Sequence, residues 1–315
     1  MRKTLFALLL VIFASGLFLA LQYYHATVQT PERSGVHERM FTISTKPVDI
    51  PSHVHSPEDT HYDHAVWADG EFRIPEDVWM TAFSTFIPDM VFPPHSFFIT
   101  TNNAQDPWCP EYPAYIYAAG TVTGKRKLEL PSPYGIFLER GTVLRLLAMF
   151  HNSDGRLYPA VQFSVFAEYE PAFRTTREKR VSKYVVSASG CDRSRPLFPL
   201  PPQSYNITKT SKGLPFVFSQ PGVILRMGAH FHGSYAEGVE NTIHIVLNGE
   251  KIDTFVTKNV GDDEQRNPPL LLGKTPFRIQ EGDKLWIEVV FNNPEREIVP
   301  EAMALVGFYF IPDQK

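Results

Sequence analysis

Two histidines separated by one residue, His230 and His232, stand in the run RMGAHFHGSYAEG, Arg226 to Gly238. On an extended strand both imidazoles fall on one face and Phe231 on the other. A pair of imidazoles suits copper, zinc, iron or nickel. The same pattern serves packing or a polar surface equally well, and the residues alone leave both readings open. A metal needs a further donor. Met303, in the closing run PEAMALVGFYFIP, offers a soft, neutral thioether of the kind that favours Cu(I). A strand methionine is also ordinary core filler.

A second set lies nearer the N-terminus. His95 opens the run PHSFFITT and His151 closes VLRLLAMFHN. In a regular strand Met149 shares a face with His151. Both histidines also fit a half-buried structural role. Four more, His53, His55, His61 and His64, crowd the run SHVHSPEDTHYDH among carboxylates. They could relay a metal in an oxidising compartment, or stand incidentally in a polar tether. His244, in NTIHIVLNG, reads as a satisfied strand histidine. Glu301, two residues before Met303, is either an acid close to that site or a solvated turn carboxylate.

These residues must be positioned by strands. From about Thr60 the chain alternates short β-type runs with turn formers: EFRIP, VWMTAFSTFIP, HSFFITTN, AYIYAAGTV, GIFLERGTVLRLLAMFHN and AVQFSVFAEYEP. The basic stretch RTTREKR leads to a second series: SKYVVSAS, GVILRMGAHFHGSY, ENTIHIVLNGEKIDTFV, PFRIQEGDKLWIEVVFNN and AMALVGFYFIP. LNGEK and QEGDK are turn signals between strands. The 27 prolines also favour short strands and turns over helices. The expected fold class is all-β, two tandem jelly-roll β-sandwich domains over residues 59–172 and 173–315. A polar tether over residues 25–58, broken by proline, is expected before them.

The 315-residue chain has a formal net charge of −4, and nothing in its charge suggests a nucleic-acid-binding surface. Met1-Arg2-Lys3 precedes a seventeen-residue apolar run, Leu5 to Leu21, with Tyr23-Tyr24 behind it. Residues 1–24 read as a signal anchor or signal peptide, with the bulk of the chain on the extracytoplasmic side, membrane-anchored or secreted if the segment is cleaved. Cys109 and Cys191 are the two cysteines; a single disulfide and two separate thiols both fit.

The order His then His in the first half, then His-x-His and Met in the second, resembles the copper type II, ascorbate-dependent monooxygenases, the family of peptidylglycine α-hydroxylating monooxygenase and dopamine β-monooxygenase. The runs that carry the resemblance are FRIPEDVWMTAFSTFIPDMVFPPHSFFITT, AAGTVTGKRKLELPSPYGIFLERGTVLRLLAMFHNSDG, GAHFHG and EGDKLWIEVVFNNPEREIVPEAMALVGFYF. The resemblance implies that His230, His232 and Met303 hold the copper that binds O2 and hydroxylates substrate. It assigns His95 and His151 to the second, electron-supplying copper. It also implies one or two copper ions, an external reductant such as ascorbate, and a small-molecule or hydrophobic substrate.

This chain departs from the family pattern in two ways. The family has two adjacent histidines where Pro94-His95 stands here, leaving a degenerate second site to be completed by Met149, His61 or His64. The peptide hydroxylases grip a terminal carboxylate with Arg, Asn and Tyr at the places of Gly228, Leu305 and Gly307. Peptide amidation is therefore not expected. Two alternatives stand beside the hydroxylase: a copper-binding protein of the same fold without hydroxylase activity, and a non-metal binding module on a paired jelly-roll scaffold, which a glycoamidase also uses.

Overall fold

Alternating burial along the strands builds the fold. β22 runs from Lys284 to Asn293, and its residues Leu285, Ile287, Val289 and Phe291 are fully buried on one face. The same rule shapes most of the 23 strands in this computed structural model. It describes residues 39–52, 64–85, 94–120, 126–152, 155–173, 179–191, 198–232, 239–258, 271–272 and 276–313. Of His232 and Glu301 it describes the backbone alone. The apolar segment 1–24 lies outside these residues. No helix among them is long and apolar enough to cross a membrane.

The first half comprises β1 (Arg39–Ser44), β2 (Val48–Ile50), β3 (Val66–Arg73), β4 (Val78–Thr85), β5 (Ser96–Gln105), β6 (Pro113–Gly120), β7 (Arg126–Glu129), β8 (Tyr134–Leu138), β9 (Val143–Phe150), β10 (Tyr158–Val161), β11 (Ser164–Pro171) and β12 (Lys179–Arg180). One sheet has the order β1-β11-β4-β8-β12, with β7 on β4; the other is β3-β9-β5-β6; β10 and β2 form a small pair. The second half comprises β13 (Ser182–Ser187), β14 (Phe198–Leu200), β15 (Ser204–Thr210), β16 (Phe216–Val217), β17 (Gly222–His232), β18 (Glu240–Leu247), β19 (Glu250–Lys258), β20 (Leu271–Leu272), β21 (Phe277–Ile279), β22 and β23 (Val299–Pro312). Its sheets are β13-β23-β17-β20, joined by β14 and β21, and β15-β22-β18-β19, joined by β16. The protein is all-β, two tandem jelly-roll β-sandwiches.

The turn signals act as their sequence says. Asn248 and Gly249 both take positive φ, 51° and 96°, and close the β18–β19 hairpin. Asn248 then donates its side-chain amide to Asp283 Oδ1 at 2.7 Å and accepts from the Lys284 amide at 2.9 Å, tying this hairpin to the turn before β22.

The tether expected over residues 25–58 is corrected in its second part. β1 lies along β11 in an antiparallel ladder from Arg39↔Tyr169 to Ser44↔Ser164, and β2 pairs with β10. Ile43 and Ile50 are buried in the first core. The polar, proline-broken composition hides two short strands whose few apolar residues finish that sandwich. The first sheet also takes in β12, parallel to β8, so its last strand ends at Arg180 and not at residue 172.

The two halves share surface. Tyr309 and Ile311 of β23 belong to the first apolar core, while Phe308 and Phe310 between and beside them belong to the second. In the other direction Trp108 and Cys109, in the connection between β5 and β6, are buried in the second core. Cys109 is disulfide-bonded to Cys191, and Trp108 Nε1 donates to the Leu214 carbonyl at 2.9 Å.

Candidate metal centre

β17 and β23 run antiparallel, and their register sets His232 directly opposite Met303, Phe231 opposite Ala304 and His230 opposite Leu305. Directly opposed residues of an antiparallel pair share a face, as do residues two apart on one strand. His230, His232 and Met303 therefore occupy one face of this sheet. The other face is the core side, since Met227, Ala229, Ala302, Ala304, Val306 and Phe308 all lie in the second apolar core. Residues separated by some seventy positions in the chain thus become neighbours. Met303 is buried, yet it belongs to neither apolar cluster. The face is also the one through which Tyr309 and Ile311 reach the first sandwich.

The first half places its candidates at one end of the sheet β3-β9-β5-β6. Met149 pairs with Ser96 on β5 and with Trp67 on β3. His95 is buried, and its backbone N–H donates to the Met149 carbonyl at 2.8 Å. His151 follows β9 directly and is half-buried. Met149 is buried and, like Met303, lies outside both apolar clusters. It sits on the face of Ser96 and Trp67, away from the Phe97–Ala148 face that enters the first core. His64 is exposed and stands two residues before β3, whose Val66 pairs with Phe150, so it belongs to the same end. The His95, His151 and His64 backbones are gathered here. Their ring nitrogens do not converge as a three-ligand group: among the described residues the only such group of His, Cys, Asp and Glu is Cys109, Glu111 and Cys191, whose sulfurs are bonded to each other.

The remaining sequence candidates separate from both places. His244 is on β18, in the sheet β15-β22-β18-β19, where its Nδ1 is 3.0 Å from Thr254 Oγ1. Burial and then Lys251 push its pKa down, with Glu288 acting the other way. It is a satisfied strand histidine on the far sheet of the second sandwich. His53, His55 and His61 lie outside the described residues, as does the Glu301 side chain.

A group that the sequence did not single out lies higher on the face of Met303. Across three neighbouring strands, Lys183 on β13 opposes Tyr309 on β23, which opposes Arg226 on β17. The Lys183 amine is 5.3 Å from the Tyr117 ring centroid and 5.6 Å from that of Tyr309, and donates to the Ala118 carbonyl at 3.3 Å. Burial lowers its pKa to about 7. Burial also raises the Tyr309 phenol well above its ordinary value; the neighbouring Tyr117 adds to this and the Arg226 charge opposes it. Lys183 alternates with residues buried toward the second core. The one signal for such a site was the nearly unbroken apolar run of β23, which marks a strand covered on both faces.

No family model matches the chain, and no curated protein matches it. Among solved structures, PNGF-II aligns with a TM-score of 0.39 and 12% identity over 88% of this chain and 66% of that chain. Peptide:N-glycanase F aligns with a TM-score of 0.42 and 14% identity over 87% of this chain and 96% of that chain. The VP2 subviral particle of infectious bursal disease virus aligns with a TM-score of 0.26 and 11% identity, covering 90% and 74%. This chain spans about two thirds of the length of PNGF-II. At these identities a likeness concerns fold alone.

Proposed function

We propose that this protein is an exported copper protein of the type II monooxygenase kind, in which His230, His232 and Met303 hold the ion at which O2 and a small or hydrophobic substrate meet. The observation that carries the reading is the register of β17 and β23, which brings residue 303 opposite residue 232 and sets residue 230 on the same face. Two imidazoles and one thioether are a donor set suited to copper: the sulfur favours Cu(I), and the nitrogens accept Cu(II). Bound copper would supply the redox chemistry with O2, drawing electrons from an external reductant such as ascorbate.

The chain's own contribution is placement. The continuous β17–β23 ladder fixes the spacing of the donors, and burial of Met303 keeps bulk water from its sulfur. Export is supported by the Cys109–Cys191 disulfide, since such bonds persist in oxidising compartments. An N-terminal membrane anchor or signal fits the same direction.

A second reading, copper binding without hydroxylation, draws on the first half. His95, His151 and Met149 would hold the electron-supplying copper, yet no third His, Cys or carboxylate converges there among the described residues. Copper stoichiometry of the soluble fragment separates the readings. Two ions per chain, falling to one in Met303→Ala and to one in His151→Ala, is the outcome expected of the hydroxylase. One ion, lost in Met303→Ala and kept in His151→Ala, favours the single-site protein. Retention of no copper after loading and desalting overturns both.

A further inference from the structure

The covalent tie between the halves has a third member that a disulfide does not need. Cys109, in the connection between β5 and β6, is fully buried, and Cys191, after β13, is half-buried. Glu111 is exposed, yet an oxygen of its carboxylate and the two sulfurs all lie within 4.8 Å of one another. A neutral disulfide has no use for a carboxylate beside it. Two thiolates and a carboxylate, in contrast, are a donor set that a divalent cation neutralises. Cysteine sulfur and carboxylate oxygen are both ordinary ligands of zinc.

Each donor is held by its own loop as well as by the bond. Asp106 Oδ1 accepts from the Trp108 and Cys109 amides, both at 2.9 Å. The Asp106 amide donates to the Tyr112 carbonyl at 2.9 Å, and the Tyr112 amide donates to the Cys109 carbonyl at 3.0 Å. That last bond closes the turn Cys109-Pro110-Glu111-Tyr112, with proline at the position its ring favours. Cys109 and Glu111 therefore stand on one knuckle. On the other side the Gly190 amide donates to the Ser187 carbonyl at 3.2 Å, and Gly190 takes a φ of 71°, a turn that delivers Cys191. The Trp108 indole, bonded to the Leu214 carbonyl, pins the knuckle into the second core. The Cα atoms of the two cysteines are 5.5 Å apart. Tetrahedral zinc holds two sulfurs about 3.8 Å apart, a separation that rotation about the two Cα–Cβ bonds supplies once the sulfurs are no longer bonded.

We propose that Cys109, Cys191 and Glu111 form a redox-gated zinc site at the join of the two halves. As a disulfide the site is closed. A dithiol reductant opens it: two electrons and two protons pass to the sulfurs, and the reductant leaves as its own disulfide. The cation then displaces the two thiol protons to solvent and binds both sulfurs and the Glu111 carboxylate. Its fourth position takes water on the exposed Glu111 side. Wherever thiols are kept reduced, the ion takes over from the covalent bond in holding the β5–β6 connection to the second half. The site shares no residue with His230, His232 and Met303 and stands without the copper reading.

The test compares the oxidised protein with protein reduced by a water-soluble phosphine, each titrated with cobalt(II) as a spectroscopic stand-in and then with zinc. The reduced chain is expected to show a thiolate-to-cobalt charge-transfer band that saturates at one cobalt per chain and is lost when zinc displaces it; the oxidised chain should show none. Zinc should also raise the melting temperature of the reduced chain, which capture by unfolded thiols would not do. Cys191→Ser should abolish both the band and the rise. Glu111→Gln, at an exposed position, keeps both cysteines and should weaken zinc by about tenfold or more. The proposal is overturned by the absence of a band on reduction, by the same band in Cys191→Ser, by a melting temperature that zinc does not raise, or by undiminished zinc affinity in Glu111→Gln. Cobalt held by His230 and His232 lacks the thiolate band, so a negative result here leaves the copper stoichiometry to stand or fall by itself.

Discussion

Met149 and Met303 occupy the same situation in the two halves: each is a buried strand methionine outside both apolar cores, on the side of its sheet away from its own sandwich. Their surroundings differ. Met303 is opposed across a continuous ladder by His232, with His230 two residues on, so the three candidate residues share one face of two adjacent strands. Met149 is opposed by Ser96, and the histidines of its region stand just outside the strands, where no ladder holds them in register. A donor set built within paired strands inherits its spacing from the backbone. One built from strand ends depends on loops. On the copper proposal, tighter binding is expected in the second half than in the first.

The largest effect that would break this contrast is at the ladder itself. His232→Ala or Met303→Ala should lower Cu(I) affinity by more than the roughly 100-fold upper range seen for supporting residues around metals, read by chelator competition. His151→Ala should change that affinity less than tenfold, within the noise of coupled sites. Equal losses in both would show that the two regions are one site.

Next comes the tie between the halves. Trp108→Ala removes a buried indole from the second core and its hydrogen bond to the Leu214 carbonyl, and should cost about 3–5 kcal/mol in urea unfolding. Its residue lies beyond the far end of β5, the strand that His95 precedes. The loss should therefore appear in one cooperative transition; two separate transitions would show sandwiches that unfold independently.

Lys183 sharpens the comparison through pH. Its folded-state pKa is depressed to about 7 from 10.5, so between these values the unfolded chain binds more protons than the folded one. Stability should rise with pH from about 7 toward 10, by at most about 1.4 kcal/mol per unit, and be independent of this group below 7. Lys183→Met should flatten that rise. The smallest effect is expected on the opposite sheet: His244→Gln should leave copper binding unchanged and shift stability by about 0.5 kcal/mol or less.

How much of this could be read in the chain follows from what each signal encodes. Alternation and the Asn-Gly turn describe local geometry, so the longer apolar strands and the β18–β19 hairpin were legible, whereas the polar β15 and the short β14, β16 and β20 were not read as strands. His-x-His was visible as a strand pair, but the meeting of residues 232 and 303 is a matter of register between distant strands, which spacing does not carry. β1 and β2 were hidden because their residues complete a sandwich whose other strands come up to 120 positions later, as at Ser44 and Ser164. Nothing in the run SKYVVSAS sets Lys183 apart from any other strand lysine. Only the packing of β6 against its face shows otherwise.

The plug formed by Trp108 and Cys109 bears on how such a molecule can be inherited. A half that lends an indole and a sulfur to its neighbour's interior, while borrowing Tyr309 and Ile311 in return, cannot be cut out and grafted elsewhere as a finished part. Recombination between the sandwiches would leave a hole on one side and greasy rings on the other. The pair must travel as a unit, and any new chemistry must come from point changes along the shared seam.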